Sequence, residues 1–378
     1  MAFRARLAIT GVFALNGAMF ASLFARLPAI QDRAGLGDGT LGLALLCAMV
    51  GLLASQPLAG ALVQRAGSRP LVVVGAIAYA LGLVPVALSE SFAALAGALA
   101  AIGFGSGLLD VAMNVHGLTV ERALGRPILS TLHAAFSFGA LAGAGVAALA
   151  IAAGVGVVAH LAGVALLGVG VALVAPAFLL APSADAAPGG PLLARPTRAL
   201  ATIGAIAFCV LLAEGAVSDW AAIYLDDEVG TGEALAATGL AAFSLTMGIG
   251  RLAGDRLSER LGAVTLARAG ATLALVGLTI ALAAAGPLVA LPGFAAMGLG
   301  LAALFPLALR AGAARGHAVG PSVAAVSAFG YLGLMIGPPA VGGLSELFGL
   351  RAALVLVVAL LGLAGALAAS LRAPAQAR

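Results

Sequence analysis

Asp110 and Asn114 stand four residues apart in "IGFGSGLLDVAMNVHG", residues 102–117, a run that is otherwise almost wholly apolar. On a helix that spacing puts both side chains on one face. A carboxylate beside an amide in such surroundings can bind and release a proton, or it can hydrogen-bond a polar solute. His133, in "ILSTLHAAFSFG", adds a second titratable group near the same depth of the next apolar segment. A further constellation, "AEGAVSDWAAIYLDDE" at 213–228, carries Glu214 well inside an apolar run and Asp219 with Trp220 nearer its end. Arg26, in "LFARLP", is a planar cation suited either to pairing with Asp219 or Glu214 or to clamping an anionic substrate. Asn16 is the lone strongly polar side chain of the first apolar run and a candidate for hydrogen bonding to substrate. Plainer roles stand beside these: a static polar cluster for Asp110 and His133, a snorkelling cation for Arg26, an interfacial belt for Trp220.

The elements that must position these groups follow from composition. Hydrophobic residues make up 62% of 378 positions and charged residues 9%. A soluble domain carries about 25% charged residues. Mean hydropathy is +1.15. Apolar segments long enough to span a bilayer recur from end to end, and 53 glycines supply the small contacts by which membrane helices pack. The fold class is therefore an all-α membrane protein. Charge clusters and Gly/Pro-rich breaks divide it into twelve spans, near 7–29, 40–63, 71–89, 92–116, 129–153, 157–180, 199–225, 234–253, 263–285, 287–309, 321–345 and 350–371. The first is read as an uncleaved helix.

The positive charge is all arginine, with no lysine, and reports orientation rather than nucleic-acid binding. With an even number of spans, sixteen arginines fall on the side of the N-terminus and three on the other (Arg26, Arg33 and Arg351). That bias predicts both termini in the cytoplasm. Asp38 and Glu233 are among the acids that lean outward. "APSADAAPGGPLLARPTR", 181–198, reads as a cytoplasmic linker between a bundle at 1–180 and another at 199–378. Cys47 and Cys209 read as buried small hydrophobes, and the four histidines show no metal spacing. No nucleophile–base pattern and no P-loop lysine occurs, so neither an enzyme nor a bound cofactor is expected.

The two bundles repeat. "QRAG" at 64–67 answers "ERLG" at 259–262, and "GFG" at 103–105 answers "GLG" at 298–300, both at an offset of 195 (259 from 64, 298 from 103). "GALVQRAGSRPL", 60–71, resembles the signature loop of the major facilitator superfamily: Gly, three residues, Asp, Arg, any residue, Gly, then basic residues. Gly60, Arg65, Gly67 and Arg69 match; Gln64 stands where the acid belongs and Ser68 where a basic residue is common. The second copy, "GDRLSERLG", keeps the acid as Glu259, followed by Arg260 and Gly262. The resemblance covers the whole chain. It implies two pseudo-symmetric six-helix bundles and gating contacts among Arg65, Arg69, Glu259 and Arg260; Asp219, at about the depth of Arg26 by the repeat offset, is the outer-gate candidate. Its fucose permease-like branch pairs an acid on helix 4 with one on helix 1; Asp110 matches the former, whereas Asn16 is neutral. "GLMIGPPAVGG", 333–343, reads as a packing kink.

Energy decides how to weigh Asp110. From 92 to 112 its helix holds eight Leu, Ile, Phe or Val residues, each favouring insertion by about 0.3–0.6 kcal/mol. One central Asp opposes insertion by about 2.5–3.5 kcal/mol, and such residues mark ion or substrate pathways. The expected function is a monomeric inner-membrane permease moving a small solute by alternating access. The proton is its expected partner ion, the lipid bilayer its surroundings, and nucleic acid no partner. Asp110, His133 and Glu214 are the candidate proton groups; Asn16, Asn114, Arg26 and Trp220 are the candidate substrate contacts. A drug or metabolite exporter of the same fold, or a non-transporting membrane sensor, are the alternatives.

Overall fold

A computed structural model describes residues 1–195 and 197–372 of the 378-residue chain. Arg378 of the orientation count lies outside the described residues, as do the side chains of Asp38 and Glu233. Every regular element is helical among the described residues: α1 Ala2–Phe24, α2 Leu27–Ala34, α3 Asp38–Ala66, α4 Ser68–Leu88, α5 Phe92–Leu124, α6 Leu129–Ala152, α7 Val157–Val174, α8 Arg198–Ile223, α9 Glu233–Leu261, α10 Ala263–Ala283, α11 Pro287–Leu301, α12 Leu304–Arg315, α13 Val319–Phe348 and α14 Leu350–Leu367.

Among the described residues, eleven helical stretches are long and apolar enough to cross a membrane. The twelfth expected span is α9, whose 29 residues suffice in length. Arg251, Asp255, Arg256, Glu259 and Arg260 make its second half polar. Several boundaries differ from those expected: α9 runs on to Leu261 rather than 253, α7 ends at Val174 rather than 180, and α2 is a separate short helix after the first span. Helix α5 runs on to Leu124 rather than stopping near 116, because "GLTVERAL" continues the helical pattern until Gly125 adopts φ +65°. The span expected at 287–309 is broken at Ala302–Ala303 into α11 and α12. Pro306 accounts for the break: it has no N–H to offer the Ala302 carbonyl, and its ring crowds that oxygen.

The chain divides into two compact units, Met1–Ala194 with His317–Ala325, and Arg195–Gly316 with Val326–Arg378. The division falls inside the linker, and most of the linker belongs to the first unit.

In the first unit α5 is the central helix, packed between α3 and α4 through glycines. A methyl on Gly103 would strike the Ala48 carbonyl of α3, and one on Gly105 would strike the Tyr79 amide of α4. The second unit repeats this in register: Gly298 abuts the Phe243 carbonyl and Gly300 the Ala274 amide. Every one of those residues lies 195 after its counterpart (298 from 103, 243 from 48, 274 from 79). The repeat is therefore one of backbone contact as well as sequence. The tight turns obey it too, with Gly67 at φ +80° and Gly262 at φ +76°.

Candidate functional site

Glycines bring α1 and α6 into backbone contact, since Gly17 lies against the Phe136 carbonyl and Gly139 against the Ala14 carbonyl. That contact carries His133, in the second turn of α6, up to the face of α5 that bears Asp110 and Asn114. Asp110 is 4% exposed, Asn114 0%, His133 9% and Asn16 6%. Counting 14 residues back from Leu124, Asp110 lies roughly 21 Å up α5 from its linker end.

The polar atoms form a row. Asn114 Nδ2 donates to the Asp110 main-chain oxygen at 2.9 Å and to Asp110 Oδ1 at 3.1 Å. His133 Nε2 lies 3.1 Å from Asn114 Oδ1. With the amide nitrogen committed to two acceptors, the amide oxygen faces the imidazole, so Nε2 carries the hydrogen and donates. Phe13 of α1 sets its ring edgewise to His133 at 5.3 Å, and Asn16 Nδ2 reaches Met113 Sδ at 3.7 Å. Asn114 thus links two titratable groups with a side chain that cannot itself ionise. The described residues hold no cluster of three or more metal-ligating side chains.

The second unit carries different polar groups. Arg251 Nη2 lies 3.4 Å and 3.5 Å from the two oxygens of Glu214, joining α9 to α8. Asp255 pairs with Arg310 at 3.4 Å, and Arg310 Nη1 also reaches Ser258 Oγ. The orientation count put Arg251 and Arg310 on the side of the N-terminus; both lie within helices and face acids, and leaving them out turns sixteen into fourteen. The signal available for Arg251 was its position inside the apolar span 234–253.

Arg26 does not reach for an acid. Its Nε donates to His160 Nδ1 at 3.1 Å and its Nη2 to the Val155 carbonyl at 2.9 Å, in a site where Arg26 is buried. These contacts hold Arg26 within the first unit; the pairing expected with Glu214 or Asp219 would join it to the second. Asp219 is exposed at the end of α8, and Trp220 is half-buried with its ring beside Gly342. Arg65, Glu259 and Arg260 are exposed and Arg69 is half-exposed. His116, Ser68 and Asp185 form a buried polar contact that the sequence did not disclose.

A sequence model of the Major Facilitator Superfamily matches residues 8–311 and 203–378. An uncharacterized transporter of Sinorhizobium fredii, y4wD, is 35% identical over 361 residues, 92% of this chain and 95% of its own. An uncharacterized MFS-type transporter of Yersinia pestis is 32% identical over 356 residues, 92% of each chain. Among solved structures, FucP in its outward conformation aligns with a TM-score of 0.80 at 19% identity, covering 97% of this chain and 98% of that one. The human organic anion transporter MFSD10 aligns at 0.81 and 16% identity, covering 97% and 99%.

Proposed function

This chain belongs to the major facilitator superfamily, and we propose that it is a proton-coupled secondary transporter moving a small solute by alternating access. The observation that carries the coupling ion is the buried row Asp110–Asn114–His133 in the first unit. A buried carboxylate can change charge only by exchanging a proton or meeting a cation. The imidazole tied to it through Asn114 answers that change with its own hydrogen bond. Asp110 is the proton acceptor, His133 adjusts it, and Asn16 and Asn114 supply hydrogen bonds to the solute. Glu214 with Arg251, and Asp255 with Arg310, are ion pairs that can be made and broken as the carrier changes state. The exposed Arg65, Arg69, Glu259 and Arg260, with Asp219, are the remaining gating candidates. The protein works as a monomer in the inner membrane with both termini cytoplasmic. FucP is described as a fucose:proton symporter; at 18% identity it supports the fold, and the proton is argued from Asp110.

Arg251 favours a second reading, an anion carrier. It is a buried guanidinium opposite a carboxylate that a substrate carboxylate could displace. A thermal-stabilisation screen of purified protein against neutral and anionic metabolites separates the two. Proton coupling is then tested by imposing a pH gradient on reconstituted protein with the solute found: uphill accumulation supports it, and exchange without accumulation removes it.

A further inference from the structure

The linker does more than join two bundles. After α7 the chain returns over the α3–α4 turn. Leu180 N–H donates to His116 Nε2 at 3.2 Å. Asp185 Oδ1 accepts the Ser68 N–H at 2.9 Å, satisfying one of the free amides in the first turn of α4. Asp185 Oδ2 accepts the Ser68 hydroxyl and lies 3.1 Å from the Thr119 hydroxyl, whose single hydrogen it shares with the Val115 carbonyl at 2.9 Å. Gln64 pairs with Ala187 in both directions: its side-chain Nε2 donates to the Ala187 carbonyl at 2.7 Å, and its main-chain carbonyl accepts the Ala187 N–H at 2.9 Å.

The donors can be assigned throughout. An ionised Asp185 only accepts, so the Ser68 hydroxyl gives its hydrogen to it and accepts from His116 Nδ1 at 2.7 Å. His116 then has Nε2 free for Leu180, as a neutral ring. The hydroxyl sits between imidazole and carboxylate, which is not the order of a nucleophilic triad.

We propose that residues 180–190 are a docked strap of the first unit, keyed by Asp185 and Gln64, and that the amide at 64 is what permits docking. A carboxylate there, the residue type of the signature loop, would set an oxygen with no hydrogen to give against the Ala187 carbonyl. The repeat supplies the contrast. Its second copy keeps the acid as exposed Glu259, and a methyl on Gly262 would meet nothing within 4 Å. On Gly67 the same methyl would meet Pro182 and Asp185. Among the described residues, the acid survives where no strap lies and is an amide where one does. The strap joins α3, α4 and α5 at one end, through Gln64, Ser68, and His116 with Thr119; only residues 191–197 separate it from α8. This inference does not depend on proton coupling or on the substrate.

The test uses the full chain in nanodiscs with Cys47→Ser and Cys209→Ser, and a nitroxide on Ser183→Cys, an exposed strap position. The parent should give an immobilised spectrum. Gln64→Glu and Asp185→Asn should each shorten the label's correlation time severalfold, and the double variant should go no further than either single one. His116→Gln, whose amide can both donate and accept, and Glu259→Gln in the second copy should leave the spectrum unchanged. A parent-like spectrum for Gln64→Glu or Asp185→Asn, or strictly additive effects of the two, overturns the strap. Should Gln64→Glu fail to give a monodisperse protein, Gln64→Ala decides in its place, with the same mobile spectrum expected and a parent-like one contradicting.

Discussion

Asp110 and Arg26 are both buried polar residues of the first unit, and their surroundings separate their roles. Asp110 meets an amide that also touches a histidine, whereas Arg26 is tied to His160 and a main-chain carbonyl. Arg26→Ala leaves the buried His160 Nδ1 and the more exposed Val155 carbonyl without their donor, at about 1–3 kcal/mol of stability. Its melting temperature in detergent should fall, and the charge reversal Arg26→Asp with Asp219→Arg should not recover the wild-type value. Recovery would restore the gate read from the sequence. His133→Gln keeps a donor for Asn114 Oδ1 but cannot titrate. Its transport should shift in pH optimum with little change in maximal rate; an equal loss at every pH would make His133 merely structural. Asp110 was legible because its insertion cost nearly cancels its own helix. The Arg26–His160 contact was not, because the partners are 134 positions apart and neither position marks the other.

At the scale of elements, α5 owes its place to glycines that let backbones touch. Gly103→Ala puts a methyl into the Ala48 carbonyl, and Gly298→Ala puts one into the Phe243 carbonyl. Backbone oxygens cannot swing aside as a flexible side chain can. Each substitution should cost about 1–3 kcal/mol, as overpacking generally does, and lower the melting temperature, while Gly97→Ala, with nothing within 4 Å, should not. Equal melting temperatures for all three would mean that these helices are spaced more widely than described. "GFG" and "GLG" announced this repeat in the sequence. The break before α12 was also written there, in Pro306, although prolines at 57, 85 and 292 lie within unbroken helices. The strap was illegible for another reason: Gln64 donates to a main-chain carbonyl of a loop, which no residue pattern encodes, and Asp185 lies 117 positions from Ser68.

For the molecule as a whole, the signature loop and the offset of 195 carried the superfamily, and the arginine bias carried an orientation. Removing Arg251 and Arg310 from the count leaves fourteen against three, so the bias survives their pairing. Reporter fusions at residue 190 and residue 230 should report opposite sides of the membrane; the same side for both would undo the twelve-span order. Substrate class stays out of reach of the sequence because a few hydrogen bonds from Asn16 and Asn114 suit many solutes. The proposed coupling ion rests on one residue and is tested there. Asp110→Asn preserves the shape and the hydrogen bond to Asn114 and fixes the site neutral. A gradient of 100 mV is worth about 2.3 kcal/mol per proton, enough for visible accumulation in proteoliposomes. The decisive measurement is solute uptake under an imposed pH gradient, wild type against Asp110→Asn, beside solute exchange with no gradient. Loss of accumulation with exchange retained is the predicted result; accumulation of the wild-type size and pH dependence in Asp110→Asn would contradict it.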